Sequence, residues 1–266
     1  MHSDYHTVID AHLHLPVDYP DFPAKRAALL AELKRNGVCR GIVIADSAPE
    51  STIGSVRDCT ALFRGSSIIK VVAGISPFFQ YAEQLALCRE LLECRGIIGL
   101  KLYTGHESFC CTDPVLLPVY ELAAAYGVPV LFHTGWEHTE YAAPQRMKTL
   151  AQRRPQNTFV YCHCFYPDPE QCFDVLGSCG NVYFDISSTA DDPALLPRLK
   201  PVLESAVRAM PQRILFGSDF GSCSQRAHLG FADLLELTAA QREALMFRNA
   251  CAVYHLPERT DNGALS

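Results

Sequence analysis

The 266-residue sequence has no CxxC pair, no apolar run long enough to cross a bilayer, no block of like charge and no low-complexity linker. Each absence removes a class. Without paired cysteine spacing there is no zinc-finger framework. The twelve cysteines are scattered, with FCC (109–111) and YCHC (161–164) as the only close groupings. The first ten residues, MHSDYHTVID, show neither a basic n-region nor an apolar h-region. A cytoplasmic protein with reduced thiols is therefore expected, not a disulfide scaffold. A net charge of −6 gives no electrostatic case for nucleic acid or an anionic membrane. No run reaches the length of a bilayer-spanning helix, so no membrane partner is expected. A small molecule is the expected partner.

Hydrophobic residues make up 48% of the chain and charged residues 20%, which suits a large core. The chain alternates short β-rich apolar runs with stretches of helical periodicity. The strand candidates are 7–15, 39–46, 68–76, 96–103, 128–134, 157–164, 181–188 and 213–219. Helical stretches include 24–37, 81–96, 113–127 and 192–210, several of which end at glycine. Asp113-Pro114 and Asp192-Pro193 read as an N-cap followed by a first-turn proline. Eight strand–helix units predict parallel strands. At this length, closure into a single-domain α/β (β/α)8 TIM barrel over residues 1–266, with its core at about 7–256, buries all eight strands. An open doubly wound sheet is the competing arrangement, but the first turn, HLPVDYP, lacks a glycine-rich phosphate loop. The last ten residues read as a frayed tail.

The first strand candidate contains VIDAHLHL (8–15). In a strand, residues two apart share a face. His12 and His14 are thus expected to project together with Asp10 beneath them, while Ile9, Ala11 and Leu13 face the helices. Two imidazoles in parallel suit either a metal ion or a hydrogen-bonded pair in the core. Barrel chemistry gathers at the C-terminal ends of the strands. There the fourth strand candidate carries Lys101, the fifth His133, the sixth His163 and the eighth Asp219. Four imidazoles and a carboxylate converging on one mouth are ligands suited to zinc, manganese or iron. Cys162 and Cys164 flank His163 and are expected to point away from the mouth as packing residues. Tyr103, Trp136 and Arg226 lie in or near the loops of that face and are candidates for substrate contact. Loop packing is the alternative for each, and the loop histidines His106, His138 and His228 have the same standing.

DAHLH on the first strand, GLKLY on the fourth, PVLFHTG on the fifth, VYFDISS on the seventh and ILFGSDF on the eighth resemble the amidohydrolase superfamily, in particular its amidohydrolase-2 branch. RNACAVYHL (248–256) resembles the closing helix of that branch, and the likeness runs over roughly residues 7–256. The resemblance implies a divalent metal, with zinc expected, held by His12, His14, His133 and Asp219. It implies that Asp219 handles the proton of the attacking water and that His163 acts as acid/base or polarises the substrate. Lys101 is expected to stand unmodified near substrate beside one ion. In two-metal relatives a lysine in a similar KLYP context is carboxylated and bridges the ions, with the strand-six histidine as a further ligand; here Thr104 replaces that proline. Bulky Phe165 and Tyr166 after His163 depart from the small residues usual in the branch. Paired barrels are common in the family, so a homo-oligomer is also implied.

The implied reaction is hydrolysis of an amide, lactone or related carbon centre by metal-activated water. Non-oxidative decarboxylation on the same constellation is the first alternative and a metal-free lactonase the second. A non-catalytic ligand-binding barrel is the third, opposed by the cost of burying several ionisable groups without use.

Overall fold

The computed structural model describes residues 8–136 and 138–258. The start of the first predicted strand at Thr7 and most of the expected frayed tail lie outside the described residues. The first half runs β1 (Ile9–Leu13), α1 (Phe22–Arg35), β2 (Arg40–Ile44), α2 (Val56–Leu62), β3 (Ile69–Gly74), α3 (Tyr81–Glu93), β4 (Leu100–Leu102) and α4 (Leu117–Tyr126). The second half runs β5 (Val130–Phe132), α5 (Pro144–Arg153), β6 (Phe159–Tyr161), α6 (Pro169–Leu176), β7 (Val182–Asp185), α7 (Leu196–Ala209), β8 (Ile214–Leu215), α8 (Gln225–Leu234), α9 (Ala239–Glu243) and α10 (Asn249–Tyr254). The strands form one parallel sheet in the order β1 to β8. Beyond β8 the chain continues parallel to β1: Ala11 N–H donates to Phe216 O at 2.9 Å, Asp219 N–H to His12 O at 2.8 Å and His14 N–H to Phe220 O at 2.7 Å. These bonds bring the two sheet edges together, and the architecture is a TIM barrel. Among the described residues no helix is long and apolar enough to cross a membrane.

Local sequence chemistry explains the elements. Helix α1 starts where the Asp21 carboxylate accepts Ala24 N–H at 2.8 Å. It buries Leu29 and Leu33 against the sheet and gives way to Gly37 at φ 69°. Helix α4 stops at Gly127, also left-handed at φ 64°. The strands are shorter than the apolar runs that announced them, because each run continues into a buried strand-end loop that leaves the ladder. The Asp192-Pro193 cap holds a turn, not the helix: Asp192 accepts Ala194 N–H at 2.9 Å and α7 begins only at Leu196. Asp113 precedes a single 3-10 turn (Pro114–Leu116), and its carboxylate accepts Cys110 N–H instead of capping that turn.

Two apolar layers result. The larger lies between sheet and helices, and Leu13, Leu29, Leu33, Val43 and Phe132 belong to it. The smaller fills the barrel and includes Ile9, Ala11, Ile42, Ile44, Val72, Leu131, Val160 and Leu215, together with Phe247, Val253 and Tyr254 at and after the closing turn. Asn249 fastens that closing segment by donating to Ile214 O at 2.7 Å and to Pro211 O at 2.9 Å.

The expected two-faced reading of β1 needs correction. Ile9 and Ala11 lie inside the barrel, not against the helices. Asp10 faces outward, where Ser218 and Gln225 of α8 donate to it and burial pushes its pKa up to about 7 against those bonds. The cause is a register shift between Asp10 and Leu13: Asp10 pairs with Gly41 and Leu13 with Val43, so two residues of β1 oppose one of β2. The irregularity moves His12 out of the row of Asp10 and brings it to the barrel axis beside His14.

Candidate metal centre

His12 and His14 each have one ring nitrogen committed to the scaffold. His12 Nδ1 lies 3.0 Å from Asp185 Oδ2, and His14 Nδ1 lies 2.9 Å from the Ile44 carbonyl. Both acceptors lack a proton to give, so each Nδ1 donates and each Nε2 keeps its lone pair. Those lone pairs point at one oxygen: Asp219 Oδ1 is 3.5 Å from His12 Nε2 and 3.3 Å from His14 Nε2. Among the described residues, His12 Nε2 and Asp219 Oδ1 are buried without a hydrogen-bond partner. Three lone-pair donors facing one another repel unless a cation lies among them. Ligands at about 2.0–2.1 Å around a tetrahedral zinc stand about 3.3 Å apart, close to the spacings found here. His12, His14 and Asp219 form a compact donor group, with all ligand atoms within 4.8 Å of one another.

The backbone makes this convergence feasible. Asp219 sits in the left-handed region at φ 59°, where aspartate is among the better tolerated residues. A Cβ on Gly217 would come within 2.9 Å of His12 Cβ, and one on Gly221 within 2.8 Å of His14 Cβ. The glycines flanking the SDF of ILFGSDFG thus let the loop after β8 press against the histidine strand. Asp219 Oδ2 accepts from Ser188 Oγ at 2.8 Å. Burial would raise the Asp219 carboxyl, but the His14, His12 and His163 rings around it hold it well below the usual carboxylate range.

His163 does not lie on a strand. β6 ends at Tyr161, and His163, Cys164 and Phe165 are all left-handed, at φ 61°, 49° and 63°. Three such residues in a row are strained by about 1–3 kcal/mol each and persist only where the surroundings hold them. Here Asp185 Oδ1 accepts His163 N–H at 2.9 Å, and Thr134 Oγ1 accepts Phe165 N–H at 3.0 Å. The turn reverses one expectation: Cys162 points into the barrel, its thiol 3.2 Å from Lys101 Nζ. Cys164 packs outward, as expected, with its thiol on Asp185 O at 2.9 Å. The His163 ring meets Ser187 Oγ through Nδ1 at 2.7 Å and His133 Nδ1 through Nε2 at 3.2 Å.

The other candidates fall into place around this cluster. His133 follows β5 and stands outside the compact donor group. Its ring packs against His106, tilted with centroids 4.1 Å apart, and against Trp136, stacked at 5.5 Å and 13°. Trp136 is 40% exposed and stands edge-on to His163, forming an aromatic wall of the mouth. Lys101 is fully buried, with its Nζ 5.4 Å from the Tyr103 ring centre. The Tyr103 hydroxyl is spent on Ala45 O at 3.2 Å. Arg226 is exposed on α8 and has no hydrogen bond or ion pair to the cluster. His138 is exposed beside Glu140, whereas buried His228 accepts Ala190 N–H and steadies the loop after β7. Asp185, Ser187 and Ser188 join the site unannounced. The criterion that flags His133 and Asp219, a polar residue ending an apolar run, also applies to Asp185 in VYFDISS.

Burial also governs protonation. It pushes His12, His133 and His163 below the usual 6.5, and for His133 and His163 the neighbouring histidine pushes further. Asp185 pulls His12 part of the way back. The folded rings stay neutral while the unfolded chain takes up protons near pH 6.5. Their contribution is complete above pH 6.5 and is lost as the pH falls below it, at up to about 1.4 kcal/mol per pH unit for each ring. The chemical-denaturation midpoint of the metal-stripped protein is therefore expected to be lower at pH 5.5 than at pH 7.5. An equal or higher midpoint at pH 5.5 would contradict the buried, neutral cluster.

A family model described as amidohydrolase (Amidohydro_2) matches residues 9–256. The chain belongs to the amidohydrolase family. No curated protein sequence matches it. Among solved structures, a TIM-barrel protein from Bordetella bronchiseptica is similar at TM-score 0.77 and 18% identity, over 94% of this chain and 98% of that one. The 2,6-dihydroxybenzoate decarboxylase from Rhizobium is similar at TM-score 0.70 and 12% identity, covering 94% and 99%. A dihydroxybenzoic acid decarboxylase from Polaromonas with bound manganese is similar at TM-score 0.69 and 13% identity, covering 97% and 99%. At these identities the likeness shows the fold. This amidohydrolase keeps its buried donor group at the strand ends, where a barrel carries its chemistry, and the family is one of metal-dependent enzymes.

Proposed function

We propose that the protein is a metal-dependent hydrolase acting on an amide, lactone or related carbon centre of a small molecule. The observation that carries the reading is the pair of partnerless buried atoms, His12 Nε2 and Asp219 Oδ1, 3.5 Å apart with His14 Nε2 beside them. His12, His14 and Asp219 would hold the ion, and His133 Nε2, left free by its Nδ1 contact, is the fourth candidate. A divalent ion in such a place lowers the pKa of water from 15.7 to about 7 and polarises a carbonyl. Asp219 receives the proton of the attacking water and returns it to the leaving group, while Ser188 keeps its second oxygen oriented. Trp136 and His106 shield the reacting face from bulk water. Lys101 adds fixed positive charge beneath the mouth.

One ion with an unmodified Lys101 is the reading supported here. Lys101 Nζ is engaged by the Cys162 thiol. The second donor group, His12, Cys162 and Asp185, is tied up in bonds between its own members and with Lys101. Two imidazole nitrogens and a carboxylate suit zinc; manganese, bound in the Polaromonas enzyme, is the other ion to test. Free thiols throughout the chain fit a reducing cytoplasm. Non-oxidative decarboxylation is the second reading, because two of the structural relatives above are decarboxylases.

The test is to strip the protein with a chelator, reload it with one equivalent of zinc or manganese, and screen amides, lactones and carboxylated aromatics. Activity should vanish on stripping and return on reloading, with hydrolysis products. Carbon dioxide release instead would establish the second reading. Activity untouched by complete metal removal would reject both.

A further inference from the structure

We infer that Ser187 is a positioning residue that ties His163, and through it His133, to the Asp185 carboxylate that also holds His12, and so sets which nitrogen of His163 and His133 is free. The inference rests on the proposed metal centre for its purpose, but its geometry stands without it. Ser187 is fully buried two residues past the end of β7. Its hydroxyl has one hydrogen to give and two lone pairs to offer. Around it lie Asp185 Oδ1, His163 Nδ1 at 2.7 Å and His12 Nδ1 at 3.2 Å.

Asp185 admits one assignment for that hydrogen. Its Oδ1 also faces the N–H groups of His163, at 2.9 Å, and Ser187, at 3.2 Å, and its Oδ2 faces His12 Nδ1 at 3.0 Å. Every neighbour named here is a donor, so the carboxylate is an acceptor only. The Ser187 hydrogen therefore goes to Asp185. Both imidazoles facing the serine oxygen must then donate, and each ring carries its hydrogen on Nδ1. The lone pair of His12 is left on Nε2, aimed at Asp219. The lone pair of His163 is left on Nε2, where it accepts from His133 Nδ1 at 3.2 Å. That bond in turn leaves His133 Nε2 free. One hydroxyl thus relays the choice of tautomer from the Asp185 carboxylate through two histidines: His133 to His163 to Ser187 to Asp185, with His12 joining at the same carboxylate. His14, whose Nδ1 is held separately by Ile44 O, lies outside the relay and serves as an internal control.

The experiment reads the ring nitrogens directly, by long-range 1H–15N correlation spectra of the 15N-histidine-labelled, metal-stripped protein. In the native sequence His12, His163 and His133 should all show protonated Nδ1 and unprotonated Nε2. In Ser187→Ala the His163 signals should move towards the opposite tautomer or a mixture, with those of His14 unmoved, and Ser187→Thr should restore the native pattern. Competition with a chelator should show metal binding about 10–100-fold weaker in Ser187→Ala, the range for loss of a hydrogen bond behind a metal-binding histidine. An Nε2-protonated His12 or His163 in the native protein would overturn the inference, as would a folded Ser187→Ala with unchanged His163 signals. The native spectrum decides even if the variant fails to fold. Correct tautomers in a protein that binds no divalent ion would leave the relay standing and reject the metal centre instead.

Discussion

Asp219→Asn is expected to leave the barrel intact and to lower turnover by about 10²–10⁴-fold, the range for losing a positioned proton acceptor. The variant isolates chemistry from folding unusually well. Asp219 occupies a left-handed backbone position at φ 59°, a conformation asparagine also tolerates. The amide fills the same volume and can keep one oxygen towards Ser188. It cannot carry the charge that two imidazole lone pairs and a cation require between them, nor accept a proton from water. The measurements are kcat on a substrate found in the screen, together with the circular dichroism spectrum and thermal midpoint. Turnover within tenfold of native in a folded variant would remove Asp219 from the chemistry.

Asp185→Ala should have the largest effect on the fold. It deprives the His163 N–H, the Ser187 N–H, the Ser187 hydroxyl and the His12 ring of their common acceptor. Each orphaned buried donor costs about 1–3 kcal/mol, and the left-handed run from His163 to Phe165 loses a main restraint. Burial would push the Asp185 carboxyl up, but the adjacent His12 ring and the hydrogen bonds from His12 and the His163 N–H hold it well below the usual carboxylate range. With several such donors orphaned together, the loss is about 3–5 kcal/mol. At about 2–4 °C per kcal/mol for a chain of this size class, the thermal midpoint should fall by roughly 6–20 °C. The same change should weaken metal binding about 10–100-fold, because His12 loses the group that orients it. A midpoint within 2 °C of native would show that the carboxylate is not the hub described here.

The two variants separate what can be read in the sequence from what cannot. The alternation of apolar runs and amphipathic stretches already implies the barrel, because each run must be buried on both faces and each helix on one. The strand-end rule then gathers His12, His14 and Asp219 from opposite ends of the chain. It fails where the backbone stops being a regular strand. Period-two alternation assigns Asp10 to the row of His12, but the extra residue in β1 breaks that row, and the bulge depends on pairing with β2, which no local pattern records. The same assumption sends Cys162 outward, whereas β6 ends one residue earlier and the left-handed turn brings its thiol onto Lys101. Asp185 stands in plain view at the end of VYFD. Its importance comes from the donors around it, drawn from β1, the loop after β6 and the loop after β7, and that convergence is a property of the closed barrel. Ser187 is harder still, since a serine past a strand end is commonplace until its neighbours are known.

On the proposed reading, two imidazoles and a carboxylate surround one divalent cation. Anomalous scattering from a crystal of the metal-loaded protein, recorded on both sides of the zinc or manganese edge, tests it most directly. A single peak is expected, bounded by His12 Nε2, His14 Nε2 and Asp219 Oδ1, with Lys101 uncarboxylated against Cys162. A loaded crystal with no peak there, or with its ion elsewhere, would contradict it.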